Sequence, residues 1–314
     1  MISTLSIFIL SVTAIEVVLG KYMLQDNYTG QTFFEQFTFF NETDPTHGFV
    51  QYQNLKNAQS SGLVYTIDDR FIMKADNVSI TPSGRPSVRI SSKKTYNSGL
   101  FVFDVNHVPT GCSTWPAYWL VGSSWPTNGE IDILEGVHTQ TKNTITLHTD
   151  NRCTMTGVAQ YMTGASSQYK DCDVNASNQP SNTGCSVTDS RNNSFGSGLN
   201  NIGGGVYILL WNTSIQVWFF PRNAIPRDIT SGEPSPSQWG LPVADFPFGA
   251  SCSSTAFKNM NIVIDLTFCG DWAGLSSATS EYNCPADCNA FVQNNPSAFT
   301  SAYWDINSLK VYQV

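Results

Sequence analysis

Charged residues are scarce in this chain of 314 residues. They make up 13% of the sequence, and 16 Lys and Arg face 24 Asp and Glu, so the net charge is −8. Nucleic-acid binding needs a basic surface that neutralises phosphates. The composition therefore argues against a nucleic-acid partner and favours a neutral ligand.

Long apolar segments are also missing. The N-terminal apolar run, residues 5–10, is too short to span a bilayer, and residues 310–314 are not the hydrophobic tail of a lipid-anchored precursor. We therefore expect no membrane partner. Residues 1–20 are predicted to be a signal peptide that ends before Lys21, with cleavage after Ala14 as the alternative.

Two further features favour export. Asn-X-Ser/Thr sequons, which are glycosylated only in a secretory pathway, begin at Asn27, Asn41, Asn77, Asn175, Asn192 and Asn212. All eight cysteines lie between Cys112 and Cys288, which predicts up to four disulfides but leaves their pairing open. Cys284 lies four residues before Cys288, but without a second close ligand pair the spacing indicates disulfides. We expect a secreted, extracellular protein with no metal and no cofactor.

Extended amphipathic helices and internal repeats are absent from the pattern. Short segments rich in β-branched and aromatic residues recur instead, bounded by Gly, Pro, Asn and Asp. The predicted strands cover residues 34–39, 48–53, 70–75, 87–92, 99–105, 117–121, 130–137, 144–149, 207–211, 215–220, 261–267 and 309–313. Only residues 285–293 have a helical pattern. The sequence therefore predicts an all-β fold.

One domain is expected over residues 21–314. Residues 156–201 and 231–240 are polar or rich in Pro and Ser, but strands continue on both sides, so both are predicted to be surface loops. The missing repeats argue against a solenoid or propeller. We expect a β-jelly-roll sandwich of two antiparallel sheets in a monomeric protein, with a concave cleft on one of the sheets.

Three acids fall within six positions of one predicted strand: Glu130, Asp132 and Glu135. On a regular strand Glu130 and Asp132 face one way and Glu135 faces the other. A β-bulge near residues 133–134 would return Glu135 to the first face, and bulges occur beside active sites because they re-aim side chains. The intervening Ile and Leu residues indicate that the opposite face is buried. We therefore predict that the three carboxylates share one face.

The spacing of the two glutamates predicts a chemistry. Their Cα atoms would lie about 13 Å apart and their carboxyls about 5–6 Å, which suits a retaining glycosidase. In that reaction one carboxylate attacks the anomeric carbon and the other protonates the leaving oxygen. Crowded carboxylates also raise one another's pKa, so one of them holds the proton that a general acid needs.

Two other interpretations of the acidic strand are less favoured. A solvated acidic face is unexpected in a chain with so few charges. A calcium loop has its acids at alternate positions on a turn with a Gly, whereas these acids alternate with Ile on a strand.

At residues 130–135 the sequence resembles glycoside hydrolase family 16, whose laminarinase branch has Glu, an apolar residue, Asp, two apolar residues and Glu. The resemblance covers about residues 21–314, includes residues 115–119, 217–222 and 295–312, and is closest to secreted fungal-type laminarinases. It implies a single-domain jelly roll that hydrolyses internal bonds of β-1,3- or mixed β-1,3/1,4-glucan. It also implies that Glu130 is the nucleophile, Glu135 the acid/base, and Asp132 a helper that positions the nucleophile.

The resemblance also implies a set of substrate-binding residues. Trp125 and Trp272 match family positions that stack on sugars, where an aromatic ring covers the apolar face of a pyranose. His148, on the strand after the acids, matches a family His near the acid/base.

Three further candidates are less specific. Arg89 is expected to reach a sugar hydroxyl or a catalytic carboxylate, or to pack on the surface. Trp115 and Trp119 are also candidates for the substrate site, but their strand-like context favours packing in the core.

Two other functions remain open on the same scaffold: a non-catalytic β-glucan-binding lectin and a glucan transglycosylase. Family members that only bind have usually lost the acids, so Glu130 and Glu135 favour an enzyme. A transglycosylase shares the covalent intermediate and differs in whether water or a sugar hydroxyl attacks it.

Overall fold

The computed structural model describes residues 21–314. The predicted signal peptide, residues 1–20, lies outside the described residues. None of the helices within residues 21–314 combines the length and the apolar character that crossing a bilayer requires.

Strands dominate the described chain. They are β1 (Met23–Tyr28), β2 (Phe37–Phe39), β3 (Val50–Tyr52), β4 (Val64–Ile67), β5 (Arg70–Lys74), β6 (Arg85–Ser87), β7 (Arg89–Tyr96), β8 (Gly99–His107), β9 (Thr114–Gly122), β10 (Glu130–Glu135), β11 (Thr144–His148), β12 (Ala165–Ser166), β13 (Cys185–Thr188), β14 (Gly205–Trp211), β15 (Ser214–Pro221), β16 (Ala244–Pro247), β17 (Met260–Phe268) and β18 (Tyr303–Gln313).

The helices are short. They are α1 (Thr32–Gln36), α2 (Leu55–Ser60), α3 (Gly196–Asn200), α4 (Arg227–Thr230), α5 (Gly270–Ala273), α6 (Ser276–Glu281) and α7 (Cys288–Asn294), with 3₁₀ turns at Arg222–Ala224, Pro236–Gln238, Ser254–Ala256 and Pro296–Phe299.

Two eight-stranded antiparallel sheets form the body of the fold. The first has the order β16-β15-β14-β8-β18-β5-β4, with β1 also paired to β18, and the second has the order β12-β13-β11-β10-β9-β17-β7-β2. A small parallel pair joins β3 to β6. The predicted all-β fold of two antiparallel sheets is confirmed.

The main core lies between the two sheets. Phe101 and Phe103 of β8 contribute from the first sheet, and Tyr118 of β9 and Ile131 of β10 contribute from the second. The rings of Phe103 and Tyr118 stack at a centroid distance of 4.2 Å. Burial of these apolar faces holds the sheets together, at about 25 cal/mol per Å² of apolar surface.

The structure corrects part of the predicted secondary structure. The first half of predicted strand 34–39 is helix α1, because Thr32 caps a turn through hydrogen bonds with Thr29 and brings Phe33 into the core. Residues 156–201, predicted to be a loop, contain β12, β13 and α3. The prediction of a single helical segment is also wrong, because helices of four to seven residues are too short to show a helical period.

All eight cysteines pair as predicted. The disulfides are Cys112–Cys284, Cys153–Cys252, Cys172–Cys185 and Cys269–Cys288. Two of them brace the segment that follows β17, which carries Trp272.

Candidate active site

The bulge predicted in the acidic strand is present in β10. Asp132 pairs with Trp119 of β9, but the next pair on that side is Leu134 with Tyr118, so the register shifts by one residue. Ile131, Ile133 and Leu134 are completely buried in the core between the sheets. The extra residue therefore lets Glu135 return to the outer face, which it shares with Glu130 and Asp132.

The three carboxylates form one electrostatic group. Asp132 is 2% exposed, and Glu130 and Glu135 are half-buried beside it. Burial, followed by the charges of neighbouring carboxylates, raises the pKa of Glu130 and of Asp132. Burial also raises the pKa of Glu135. The group therefore keeps at least one proton into the neutral range, and its titration belongs to the group as a whole.

Two indoles stabilise the charged forms of the outer acids. Trp115 Nε1 donates a hydrogen bond of 2.9 Å to Glu135 Oε1, and this bond lowers the pKa of Glu135. The side chain of Trp125, 45% exposed, similarly lowers the pKa of Glu130. Core packing, the favoured interpretation of Trp115, is therefore wrong, because its strand position places it on the face that carries the acids.

His148 lies directly across from Glu130 in the pairing of β10 with β11. Its Nε2 is 3.4 Å from Asp132 Oδ2. Burial lowers the pKa of His148 to about 4. The imidazole is therefore neutral above that pH and can act as a hydrogen-bonding group beside the acids.

Three side chains of this site could together bind a cation. Donor atoms of Glu130, Asp132 and His148 all lie within 4.8 Å of one another. The expected absence of a metal remains a prediction.

Trp119 and Arg89 lie on the same outer face. Trp119 pairs with Asp132, is half-buried, and donates a hydrogen bond of 2.7 Å from Nε1 to Asp265 Oδ1. The Arg89 guanidinium lies 4.9 Å from the ring centroids of both Trp119 and Phe40. Core packing is therefore the wrong interpretation of Trp119 as well, and Arg89 packs on an aromatic wall of this face.

Trp272 lies on the one-turn helix α5. Its ring meets that of Trp115 edge to face at a centroid distance of 5.9 Å. Trp272 therefore extends the indole surface that begins beside Glu135.

Asp265 also lies on this face, although its sequence pattern did not predict it. It is 5% exposed on β17 and receives hydrogen bonds from Trp119 and Tyr52. The sequence indicates Asp265 in one way only: it is a single acidic residue between apolar neighbours in the predicted strand 261–267.

Comparison with known proteins gives a consistent result. Residues 37–312 match the family model described as XgeA-like, catalytic GH16 domain. A probable glycosidase of Schizosaccharomyces pombe is 48% identical over 293 residues, which cover 93% of this chain and 69% of that protein. An endo-1,3(4)-β-glucanase of Arthroderma benhamiae is 41% identical over 301 residues, which cover 94% of this chain and 65% of that protein. The chain spans about half the length of several other relatives.

Two solved structures share the fold at high identity. Laminarinase 16A from Phanerochaete chrysosporium, with β-glucans in its donor and acceptor sites, is 45% identical at a TM-score of 0.89, covering 94% of this chain and all of that one. An elongating GH family 16 β-1,3-glucosyltransferase is 40% identical at a TM-score of 0.86, covering 93% of this chain and all of that one. These matches confirm the predicted jelly-roll sandwich.

Proposed function

Because this chain belongs to glycoside hydrolase family 16, we propose that it hydrolyses internal bonds of β-1,3- or mixed β-1,3/1,4-glucan and retains the anomeric configuration. The observation that carries the proposal is the bulge in β10, which supports a shared outer face for Glu130, Asp132 and Glu135. The relatives named as endo-1,3(4)-β-glucanases and the laminarinase structure with bound β-glucans support the substrate class.

The proposed reaction has two displacements. The Glu130 carboxylate attacks the anomeric carbon, the glycosidic C–O bond breaks, and its electron pair leaves with the departing sugar oxygen, which takes a proton from Glu135. In the second displacement a water molecule loses a proton to Glu135 while its oxygen attacks the anomeric carbon. The bond between that carbon and Glu130 breaks, which frees the Glu130 carboxylate. Asp132, buried between them, positions the nucleophile.

The surrounding side chains suit a neutral polysaccharide. Trp125, Trp272 and Trp115 offer ring surface for the apolar faces of pyranoses, and Trp119 extends that surface toward Arg89. His148, neutral and next to Asp132, offers a hydrogen bond to a sugar hydroxyl. The low charge of the chain agrees with this ligand.

A transglycosylase is the second candidate, because a GH family 16 β-1,3-glucosyltransferase shares the fold at 40% identity. The first displacement would be the same, but a sugar hydroxyl would replace water in the second. A non-catalytic lectin is less favoured, since it needs none of the three carboxylates whose burial is costly.

Product analysis on laminarin, lichenan, carboxymethylcellulose and xyloglucan in parallel tests the proposal. We expect new reducing ends from laminarin or lichenan, formed first as the β-anomer in a proton NMR time course. Products longer than the substrate at high oligosaccharide concentration would identify a transglycosylase. Binding without any new reducing end at high protein concentration would identify a lectin.

We also propose that the protein is exported and works as a monomer. Four disulfides need an oxidising compartment. Five of the six sequon asparagines are exposed, namely Asn27, Asn41, Asn175, Asn192 and Asn212. Mass spectrometry before and after endoglycosidase treatment of secreted protein tests the expectation.

A further inference from the structure

A fourth carboxylate, Asp265, lies in line with the acidic strand. Glu135 of β10 pairs with Ala117 of β9, Ala117 pairs with Asp265 of β17, and Asp265 pairs with Arg89 of β7. Side chains in one transverse row of a sheet share a face, and neighbouring strands lie about 4.8 Å apart. Asp265 is therefore two strands from Glu135 and on the same outer face.

Asp265 is held by three hydrogen bonds. Its Oδ1 accepts one of 2.7 Å from Trp119 Nε1, and its Oδ2 accepts one of 3.1 Å from the Tyr52 hydroxyl. Its backbone carbonyl accepts one of 3.0 Å from the indole of Trp304, which is buried between the sheets. The side chain thus joins two aromatic groups of the outer face, and the backbone is fixed from the core.

Arg89 completes this arrangement. The charges of Arg89 and Asp265 interact, and Arg89 also lies over the ring of Trp119. Among residues 21–314, Arg89 Nε is buried and has no hydrogen-bond partner. The guanidinium is therefore held here by the charge of Asp265 and by its ring contacts.

We propose that Asp265 is a positioning residue for glucan hydrolysis: it fixes the indole of Trp119 beside the substrate, and its charge, balanced by Arg89, acts on the three catalytic carboxylates. The proposal rests on the proposed function, because it assigns Asp265 a part in the same reaction. A purely structural acid would hold the strands together but would leave the ionisation of Glu135 unchanged.

Electrostatics gives this role a measurable sign. The charge of Asp265 raises the pKa of Glu135, in addition to the larger effect of burial. Burial raises the pKa of Asp265 itself to about 6, so above that pH it carries its charge. The titratable and charged groups around it are Glu130, Asp132 and Glu135 of β10, Arg89 of β7, Tyr52 of β3, and Asp44.

The first test compares Asp265→Asn with wild type on a laminarin oligosaccharide. Asparagine keeps an acceptor for Trp119 but carries no charge. Without that charge the pKa of Glu135 falls, so we expect the basic limb of kcat/KM against pH to move to lower pH by about half a unit. We expect KM to stay within about twofold of wild type. An unchanged basic limb would overturn the electrostatic part of the proposal.

The second test uses Asp265→Ala, which leaves Trp119 and Tyr52 without their acceptor. We expect KM to rise about fivefold or more. In a Trp119→Phe background, which already lacks the indole donor, the same change should raise KM less, because the two effects share one bond. Equal effects in both backgrounds would overturn the positioning role.

Asp245→Asn is the matched control. Asp245 is also 5% exposed, and its carboxylate accepts one hydrogen bond from the backbone N–H of Tyr161 and one from the side-chain amide of Gln216. It lies on β16 of the first sheet. We expect its pH profile and KM to match wild type.

Failure of the proposed function would be visible separately. If wild type binds laminarin oligosaccharides without cleaving them, calorimetric Kd values replace KM. An increase in Kd caused by Asp265→Ala would still support positioning if that increase is smaller in the Trp119→Phe background. An unchanged Kd would overturn the positioning role.

Discussion

The two sheets of the sandwich use their outer faces in opposite ways. The outer face of the first sheet carries an apolar cluster, in which Val206, Ile208 and Trp218 are buried beneath Ile225 and Trp239. The outer face of the second sheet carries four carboxylates among indole rings, namely Glu130, Asp132, Glu135 and Asp265.

The difference shows that, in one sandwich, one outer face contributes mainly to stability and the other carries the ionisable groups of the candidate active site. Apolar side chains covered by a chain segment lower the free energy of the folded state and have no ionisation to shift. Carboxylates that lose water without gaining enough partners oppose folding, but their pKa values rise into the range where acid catalysis is useful. Each prediction below tests whether this division holds.

The largest effect is expected from Glu130→Ala and Glu135→Ala. Each change removes a group that the proposed reaction requires, so we expect activity on laminarin to fall by about 10³-fold or more. The fold should persist, because both side chains lie outside the core. Reducing-end assays, with near-ultraviolet circular dichroism as the control for folding, measure both outcomes.

Added azide separates the roles of the two glutamates. In Glu130→Ala azide can replace the nucleophile and yield an α-glycosyl azide, whereas in Glu135→Ala it can attack the glycosyl-enzyme and yield a β-azide. The opposite pairing of products would exchange the assigned roles.

We expect the carboxylates of the second sheet to reduce the free energy of unfolding as the pH rises. Glu135→Gln should remove part of this reduction. The pKa of Glu135 is raised from 4.5 to about 7 by burial. Between these values the folded chain holds a proton that the unfolded chain has lost, so wild type loses stability as the pH increases through this window. Glutamine does not ionise. We expect the variant to be more stable than wild type by about 1–3 kcal/mol at pH 8, and nearly equal to it at pH 4.

Thermal unfolding of oxidised protein at the two pH values measures this difference. A variant that is less stable than wild type at pH 8 would contradict the assignment of burial as the cause of the raised pKa.

Local alternation in the sequence was enough to predict the acidic face but not its neighbours. The break in pattern after Asp132 predicted the bulge, because a single extra residue changes the side on which every later side chain lies. Trp115, Trp119 and Asp265 were misjudged or missed, because their place depends on which strands pair. That pairing joins residues far apart in the chain: Trp115 pairs with Thr267, 152 positions later, and Arg89 pairs with Asp265, 176 positions later. Nothing local in the chain specifies that register.

A smaller effect is expected from Trp115→Phe. Phenylalanine keeps most of the ring surface but cannot donate to Glu135 Oε1, and the lost hydrogen bond had lowered the pKa of Glu135. Its pKa should therefore rise, and the basic limb of kcat/KM should move to higher pH by up to about one unit. This shift is opposite in sign to the one expected for Asp265→Asn. A profile that does not move would mean that the bond has no influence on the acid.

The smallest effect on activity is expected from the same substitution on the other face, Trp218→Phe. The Trp218 ring packs edge to face against Trp239, and its Nε1 donates a hydrogen bond of 3.1 Å to the carbonyl of Gly240. Loss of that bond should reduce the free energy of unfolding by about 1 kcal/mol. The pH profile and kcat/KM should remain those of wild type, because none of the four carboxylates lies on that face. If Trp218→Phe instead moved the basic limb as Trp115→Phe does, the two faces would be coupled through the core, and the separation of stability from chemistry would not hold.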